Sequence, residues 1–300
     1  MRTHVDIGAP AKINLGLRVL GKRPDGYHDI DTVFVAVDHY DHLSFTRTIC
    51  GGVQLRLLPS AGSTEVANGF PLNEDNLITR AVRLVERETG IVANLAIEVH
   101  KAIPIAAGLG GGSADAAATL RALTRLYDLR VDLGRVAGWA AALGSDVPFF
   151  LGGPIARGTG RGEKLNPLKM FTDWWLVLIC PPVFLSAGDV YGQLRLTSPR
   201  PNPSFGQSRD AEGFFDALRQ CHNDLENVVI RQVPDVCNWL EYLKESGAGG
   251  VFVSGSGPTA CGVYRRRPSE RFVRLMRERQ PRAQVIVTRP VATAGALWER

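Results

Sequence analysis

The sequence predicts an α+β protein with two domains, and three observations lead to this prediction. The chain has 300 residues, which is enough for two medium-sized domains that each bury a core. Strand-like and helix-like stretches are mixed in both halves. A Gly-rich segment, LGGPIARGTGRGE, interrupts the pattern at residues 151–163. We therefore expect a first domain over residues 1–163 and a second over residues 164–300.

The first domain is predicted to begin with strands and to continue with helices. Stretches rich in Val, Ile, Leu, Phe and Thr predict strands at residues 11–20, 31–38, 42–48 and 53–59. A helix is expected over residues 76–90, because Asn76 suits an N-cap and Gly90 suits a helix end. A further strand is expected at residues 94–101.

Two more helices complete the predicted first domain. Residues 114–129, ADAAATLRALTRLYDL, place three leucines at helical spacing. Residues 133–143, LGRVAGWAAAL, predict a shorter helix that ends at Gly144.

The second domain is predicted to alternate between strands and helices. Its expected elements are a strand at 174–180, a polar Pro-rich loop around 198–212, helices at 214–221, 223–230 and 233–247, a strand–turn–strand unit at 250–264, a basic helix at 269–279 and a strand at 284–288.

Charge and cysteine content narrow the classes of function. The net charge is +5 and the sequence pI is about 9.1, a mild excess that suits anionic ligands but not nucleic-acid binding. The five cysteines are scattered and form no C-x-x-C pair, which argues against a disulfide framework or a zinc site. The N-terminus lacks the apolar core of a signal peptide, and the longest apolar run is too short to span a bilayer. We expect a soluble cytoplasmic protein.

A glycine-rich stretch, PIAAGLGGGSADAAAT at residues 104–119, follows a predicted strand and leads into a helix. Glycine permits positive φ and lets a ligand approach the backbone closely. A helix N-terminus offers unpaired N–H groups and partial positive charge, so this layout predicts a phosphate site. Ser113 would place a hydroxyl in the first turn of the helix, able to face a phosphate oxygen or Mg²⁺.

Two common phosphate loops do not match this stretch. The P-loop requires a lysine at its end, and none is present. The dinucleotide fingerprint fails because Ser113 stands where the last glycine belongs, which makes a dinucleotide oxidoreductase a distant alternative. A plain flexible connector between strand and helix remains an alternative for the loop taken alone.

Three further regions, together with the glycine loop, resemble the GHMP small-molecule kinase superfamily. They are APAKINLGLRVLGKRPDGYHDIDTVFVAVD near the N-terminus, GSDVPFF followed by GTGRGE in the middle, and NDLE and SGSGPTACGV in the second half. They keep the order and spacing of the family from about Pro10 to Val263. The resemblance implies a first domain like domain 2 of ribosomal protein S5 and a ferredoxin-like second domain, with ATP and its acceptor meeting between them.

The resemblance also implies a function, namely ATP- and Mg²⁺-dependent phosphorylation of an alcohol. The pairing of PAKINL with DGYH points to the 2-hydroxyl of a cytidylyl polyol, in isoprenoid precursor biosynthesis. The implied nucleotide-binding residues are Pro104, Ile105, Ala106, Ala107, Gly108, Leu109, Gly110, Gly111, Gly112, Ser113 and Ala114. Members usually have a second serine where this chain has Ala114, which puts one hydroxyl contact in doubt.

Asp146 and Lys12 are the implied catalytic residues. Asp146, in GSDVPFF, would take the proton of the acceptor hydroxyl. Its alternative role is to cap the following short helix. Lys12, in PAKINL, would pair with Asp146 and stabilise developing charge, because a lysine among apolar strand residues requires a partner. Its alternative is an outward-facing strand position.

Asn14, Tyr27 and His28 are the implied substrate contacts. Asn14 shares a strand face with Lys12, and its alternative is a sheet-edge or turn amide. Tyr27 and His28 follow a turn signal, and an aromatic ring there could stack on cytosine. The alternative is a tyrosine that staples the hairpin beside an exposed histidine.

Several readings stay open at this point. GTGRGE and SGSGPTACG are each compatible with structural turns, and the basic stretch at 265–279 is read as a solvated helix rather than an RNA site. The chain could phosphorylate another alcohol, such as mevalonate, homoserine or a sugar, or it could be a non-catalytic nucleotide-binding regulator with the same fold. We expect a monomer or homodimer that binds neither nucleic acid nor membrane.

Overall fold

The computed structural model describes residues 2–58, 69–196, 205–207 and 210–292. Within these ranges the chain forms two sheets with helices packed against them, which agrees with the predicted α+β class. Most of the predicted Pro-rich loop around 198–212 lies outside the described residues. No helix in the described part of the chain is long and apolar enough to cross a bilayer.

The first sheet is built around one long antiparallel hairpin. Its strands are β1 (His4–Lys22), β2 (His28–Arg47), β3 (Val53–Leu58), β4 (Leu95–His100), β5 (Ile155–Gly160) and β6 (Lys164–Pro167). The order is β3-β4-β2-β5-β6, and β1 pairs with β2 along its length. β2 pairs with β5 through its first half and with β4 through its second half.

β2 joins two stretches that the sequence presents as separate strands. The polar residues between them include Asp41, which is fully buried and accepts hydrogen bonds from the backbone N–H groups of Ala102 and Ile103. A buried carboxylate with donors is tolerated inside a strand, although Asp is normally depleted there. β6 pairs with β5 and belongs to the first sheet, and the division of the chain at 163/164 stays a prediction.

The helices of the first half confirm the predicted start and stop signals. They are α1 (Leu77–Thr89), α2 (Gly111–Leu126), α3 (Leu133–Leu143) and the short α4 (Val147–Leu151). The side chain of Asn76 caps α1 by accepting from Ile78 N, and Gly90 ends the helix with φ +74°. The apolar faces of α1 to α3 pack with the first sheet into one core.

The second sheet contains β7 (Trp175–Cys180), β8 (Gly250–Val253), β9 (Ala260–Tyr264) and β10 (Gln284–Thr288). Its order is β10-β7-β9-β8, and every neighbouring pair is antiparallel. In chain order this is the 4-1-3-2 arrangement of a ferredoxin-like β-α-β-β-α-β unit. Its helices are α5 (Ala187–Gly192), α6 (Ala211–Arg219), α7 (Glu226–Gln232), α8 (Asp235–Glu245) and α9 (Glu270–Arg279).

The two sheets share a core, and this core orients β1. Ala11, Ile13 and Leu15 lie in the same cluster as Leu176 and other residues of the second sheet. Because side chains alternate along a strand, Lys12 and Asn14 lie on the opposite face of β1. Packing of apolar residues between the sheets therefore directs one lysine and one asparagine toward the glycine-rich loop.

Candidate active site

Lys12 is buried at the centre of the site, with only 4% of its surface exposed. Its Nζ donates to Asn14 Oδ1 at 2.7 Å and to the carbonyl of Gly108 at 3.2 Å. The same atom lies 3.3 Å from Asp146 Oδ2. An ammonium taken out of water requires such partners, and here it has two neutral acceptors and one carboxylate.

Asp146 immediately precedes α4, at the position where a cap is expected. Its side chain makes no capping hydrogen bond. The carboxylate instead points to Lys12, and 30% of the side chain is exposed. The carboxylate is thus held on one side by an ammonium and is open to a ligand on the other.

The glycine-rich loop requires glycine at two positions in particular. Gly108 has φ +76°, and a Cβ there would lie 2.2 Å from the carbonyl oxygen of Ser254. Gly110 has φ +71°, and a Cβ there would lie 2.9 Å from Lys12 Cγ. Any side chain at either position would collide with its surroundings, so the loop can lie tightly against both Lys12 and the second sheet.

α2 begins at the end of this loop with an open N-terminus. No side chain caps the helix, and its N-cap position is held by Gly110. The first N–H groups of a helix have no intrahelical acceptor. A cavity of about 310 Å³ lies beside them, lined by the glycine loop and by residues around Asn76. Ser113 is half-buried in this lining. An anionic phosphate suits this cradle of glycines and N–H groups.

The SGSGPTACG turn reaches the glycine loop from the second sheet. Ser254 Oγ donates to the carbonyl of Gly108 at 3.0 Å, and Thr259 Oγ1 donates to the carbonyl of Ala107 at 2.7 Å. Two hydroxyl groups of the second half therefore fix two consecutive peptide units of the loop. This turn is more than a hairpin connection, because it forms one wall of the site.

The NDLE segment supports that turn from behind. Asn223 is buried, and its amide donates to the carbonyls of Val253 and Gly255 at 2.8 and 2.7 Å. Glu226 accepts from Val253 N at 3.0 Å, and Asp224 accepts from Val19 N at 2.8 Å in β1. The segment thus connects β1 with the Ser254 turn through buried polar contacts.

Tyr27 and His28 lie at the tip of the β1–β2 hairpin. Tyr27 is 53% exposed, and the guanidinium of Arg161 lies 4.8 Å from its ring centroid, in the turn between β5 and β6. The ring of His28 stacks on Tyr191, with centroids 5.2 Å apart. Partial burial lowers the pKa of His28, and the charge of Lys22 lowers it further. The ring of Tyr27 is therefore largely exposed, whereas the ring of His28 packs against another aromatic side chain.

Tyr191 is a residue of this region that sequence reasoning missed. Burial raises the pKa of its hydroxyl, and the negative charge of Asp146 raises it further. Tyr191 therefore connects the His28 ring with the surroundings of Asp146. The available signal was weak: Ser186 and Asp189 are spaced as at a helix start, which predicts α5 but not the aromatic contact.

Most of the predicted site residues form one assembly, whereas the exposed ring of Tyr27 packs against Arg161 instead. Lys12, Asn14, Asp146 and the glycine loop meet directly, and His28 approaches them through Tyr191. Asn14 is neither a sheet-edge nor a turn amide. It is buried, with its Oδ1 on Lys12 and its Nδ2 donating to Thr32 Oγ1 at 2.9 Å.

The chain matches two family models and several known proteins. The family model for the GHMP kinase N-terminal domain matches residues 76–153, and the GHMP kinase C-terminal model matches residues 204–281. A 4-diphosphocytidyl-2-C-methyl-D-erythritol kinase of Shouchella clausii is 39% identical over 261 residues, covering 86% of this chain and 84% of that protein. A kinase of the same name from Pelotomaculum thermopropionicum is 39% identical over 290 residues, covering 94% and 96%.

Solved structures of kinases are also similar to this chain. A crystal structure of 4-(cytidine 5'-diphospho)-2C-methyl-D-erythritol kinase has a TM-score of 0.71 and 31% identity, covering 95% of this chain and 99% of that one. Homoserine kinase from Cytophaga hutchinsonii also has a TM-score of 0.71, at 16% identity, with 98% and 96% covered, and shows the likeness of fold. The predicted two-domain fold is confirmed. The chain belongs to the GHMP kinase family, and it is a small-molecule kinase that uses ATP.

Proposed function

We propose that this chain transfers the γ-phosphoryl group of ATP to the 2-hydroxyl of 4-diphosphocytidyl-2-C-methyl-D-erythritol, which gives the 2-phosphate and ADP. The reaction belongs to the methylerythritol phosphate route to isoprenoid precursors. The relatives that carry this name support the substrate. The observation that carries the chemistry is the ion pair of Lys12 and Asp146, 3.3 Å apart and next to the glycine loop.

In the proposed mechanism the acceptor hydroxyl lies beside the Lys12–Asp146 ion pair, on the open side of the Asp146 carboxylate. Its oxygen forms a bond to the γ-phosphorus while the bond from that phosphorus to the bridging oxygen of ADP breaks. The proton of the hydroxyl passes to the exposed oxygen of Asp146. The ammonium of Lys12 stabilises negative charge on the reacting oxygens. The carbonyl of Gly108 and the amide of Asn14 hold that ammonium in place.

The glycine loop and α2 hold the phosphates in this proposal. The backbone N–H groups of Gly111 to Ser113 are the donors, since the helix leaves them without intrahelical acceptors. Among the described residues no group of three or more His, Cys, Asp or Glu side chains could hold a metal ion alone. Mg²⁺ would bind mainly through the phosphates, as is usual in phosphoryl-transfer sites, with the Ser113 hydroxyl as a candidate ligand, and would neutralise charge that develops during transfer.

The cytidylyl end of the substrate is assigned to the hairpin tip. The exposed ring of Tyr27 offers a face for stacking on cytosine, and His28 offers a polar edge. Tyr191 supports His28 from below. Asn14 holds Lys12, and its direct contact with the substrate stays a prediction.

A cytoplasmic location suits this function. The scattered cysteine spacing, with no C-x-x-C pair, suits a reducing compartment. The oligomeric state, monomer or homodimer, stays a prediction.

The experiment is ADP release by the purified protein with ATP and Mg²⁺, in the presence of different alcohols. The panel contains the cytidylyl methylerythritol, mevalonate, homoserine and galactose. We expect turnover with the cytidylyl compound alone. Turnover with another alcohol instead would keep the kinase and refute the substrate. Nucleotide binding without turnover of any alcohol would favour a regulator.

A further inference from the structure

A second buried lysine lies beneath the glycine loop, and the proposed mechanism does not use it. Lys101 is 3% exposed and follows directly after β4. Its Nζ donates to a carboxylate oxygen of Asp41 in β2, and to Asp115 Oδ2 in α2 at 2.8 Å. Asp41 and Asp115 are 0% and 1% exposed. We call these three side chains the buried ion cluster.

The buried ion cluster contacts the chain on both sides of the glycine loop. Before the loop, Asp41 Oδ1 accepts from Ala102 N at 2.7 Å and from Ile103 N at 2.9 Å. After the loop, Asp115 lies in the first turns of α2. Lys101 bridges the two carboxylates. The segment that carries the glycines, 104–112, is thus tied at its start and at its end to one cluster.

The cluster is also close to the loop itself. A Cβ added to Gly111 would lie 3.1 Å from Lys101 Nζ, so the first helical residue of α2 rests on the ammonium. Lys101 and Asp115 both line the cavity at the helix N-terminus. Asp115 Oδ1 is buried there and has no hydrogen-bond partner among the described residues. Buried polar atoms without partners are uncommon, and this one belongs to a residue that lines the cavity assigned to the phosphates.

Burying three charges is a costly way to stabilise a fold. Apolar residues of similar volume often do as well or better, so a buried ion cluster is better explained by the geometry that it specifies. The geometry specified here is the distance between the end of β4 and the start of α2. That distance limits the conformations that the intervening glycine loop can adopt.

We infer that Asp115, acting with Lys101 and Asp41, is a positioning residue that holds the glycine loop in its nucleotide-binding conformation. This inference rests on the nucleotide site of the proposed function but not on the identity of the alcohol. Asp115 touches neither reacting oxygen. Its loss acts through the loop, so it weakens nucleotide binding and leaves binding of the acceptor unchanged.

The test compares Asp115→Asn with Asp31→Asn. Asn keeps the shape of Asp115 and an acceptor for Lys101 but removes the charge. Asp31 is a matched control: it is also buried in an ion cluster, with Arg157 and Arg18, in the same first sheet. ADP affinity is measured by calorimetry, KM is measured separately for ATP and for the alcohol, and amide hydrogen exchange is followed over residues 102–114.

We expect Asp115→Asn to weaken ADP binding and to raise KM for ATP by at least about tenfold, the loss of one charge-assisted contact network. Exchange should rise over residues 102–114 more than elsewhere, and KM for the alcohol should stay within error. Asp31→Asn should lower the unfolding temperature without a change in ADP affinity. If Asp115→Asn does not fold, Asp115→Ser, which is smaller and neutral, is used in the same assays.

Two results would overturn the inference. In the first, the Asp115 variant has wild-type ADP affinity and wild-type exchange over the loop. In the second, both variants weaken ADP binding equally, which would mean that any loss of stability has this effect. Failure of the cytidylyl substrate to turn over would refute the proposed acceptor but would leave ADP binding, and therefore this test, intact.

Discussion

Two buried lysines flank the same glycine loop, and the carboxylates that pair with them differ in their exposure to solvent. Lys12 pairs with Asp146, whose side chain is 30% exposed. Lys101 pairs with Asp41 and Asp115, whose side chains are 0% and 2% exposed. Both ammonium groups are shielded from water and donate their hydrogen bonds to protein acceptors instead. One carboxylate partner is open to a ligand, and the other two are sealed.

The cost of burying a lysine therefore predicts that it has an ionic partner, but it does not predict whether the pair takes part in catalysis. Burial alone would lower the pKa of Lys101, yet the carboxylates of Asp115 and Asp41 outweigh it and raise the pKa. Burial also raises the pKa of Asp115 to about 7, although the positive charge of Lys101 acts to lower it. These are the signs of a closed and strongly interacting cluster. Around Lys12 the open side of Asp146 leaves space for a hydroxyl, and that is what a transfer site requires.

The largest expected effect comes from removing the open carboxylate. Asp146→Asn keeps the shape of the side chain but cannot take a proton. We expect kcat to fall by about 10²–10⁴, the usual contribution of a general base, while ATP affinity stays nearly unchanged. Steady-state kinetics and nucleotide titration measure both quantities.

The matched control is Asp189→Asn, an exposed carboxylate in α5 that undergoes the same chemical change. It should leave kcat close to wild type. Activity of Asp146→Asn within tenfold of wild type would remove Asp146 from the role of base.

Removing the sealed ammonium should affect stability more than chemistry. Lys101→Met leaves two buried carboxylates without their cation, which costs about 3–5 kcal/mol in the free energy of unfolding. Lys164→Met, at an exposed position of β6, should change it by less than about 0.5 kcal/mol. Urea unfolding followed by fluorescence measures both. Equal stability of the two variants would mean that Lys101 is not part of a closed cluster.

Removing the ammonium of Lys12 should affect catalysis more than stability, the opposite of what is expected for Lys101. Lys12→Met is expected to lower kcat by about 10²–10³, as for the loss of one donor that stabilises the transition state. The free energy of unfolding should fall less than in Lys101→Met, because the Asp146 left behind is still hydrated. The two lysine variants are compared in one unfolding series. A larger loss of unfolding free energy in Lys12→Met than in Lys101→Met would contradict this distinction between the two lysines.

The smallest effect is expected at the tip of the β1–β2 hairpin, where Tyr27 is exposed. Tyr27→Ala removes a ring that offers a stacking face. We expect KM for the cytidylyl substrate to rise by the equivalent of about 1–3 kcal/mol, with KM for ATP unchanged. Tyr27→Phe keeps the ring and serves as the control, with KM near wild type. A similar rise in both KM values for Tyr27→Ala would place the ring outside the cytidylyl pocket.

Local signals in the sequence were sufficient for much of the fold. The caps at Asn76 and Gly90 and the glycine run before α2 are short-range features, and the structure has them where the sequence predicts them. The proximity of Lys12 and Asp146 also agrees with expectation. In that case a charged residue within an apolar strand required a partner, and the family resemblance supplied one.

Contacts between distant residues could not be predicted in the same way. Asp41 lies within β2 because its hydrogen-bond donors come from Lys101 to Ile103, far along the chain. Lys101 itself comes at the end of a strand, where a lysine is normally solvated. The neighbouring sequence therefore does not indicate that it is buried. The stack of His28 on Tyr191 joins the two halves of the chain. Propensity and periodicity describe neighbours, and they do not indicate which distant group will satisfy a buried charge.

The most direct test of the account is the turnover number of the double variant Lys12→Met/Asp146→Asn, set beside the two single variants. If both side chains act on one hydroxyl, the second substitution should add little to the loss caused by the first, as in other catalytic groups that work as a unit. The account predicts a double variant about as slow as the slower single variant. Losses that multiply in full would mean that Lys12 and Asp146 act independently, and would contradict their joint action on one hydroxyl.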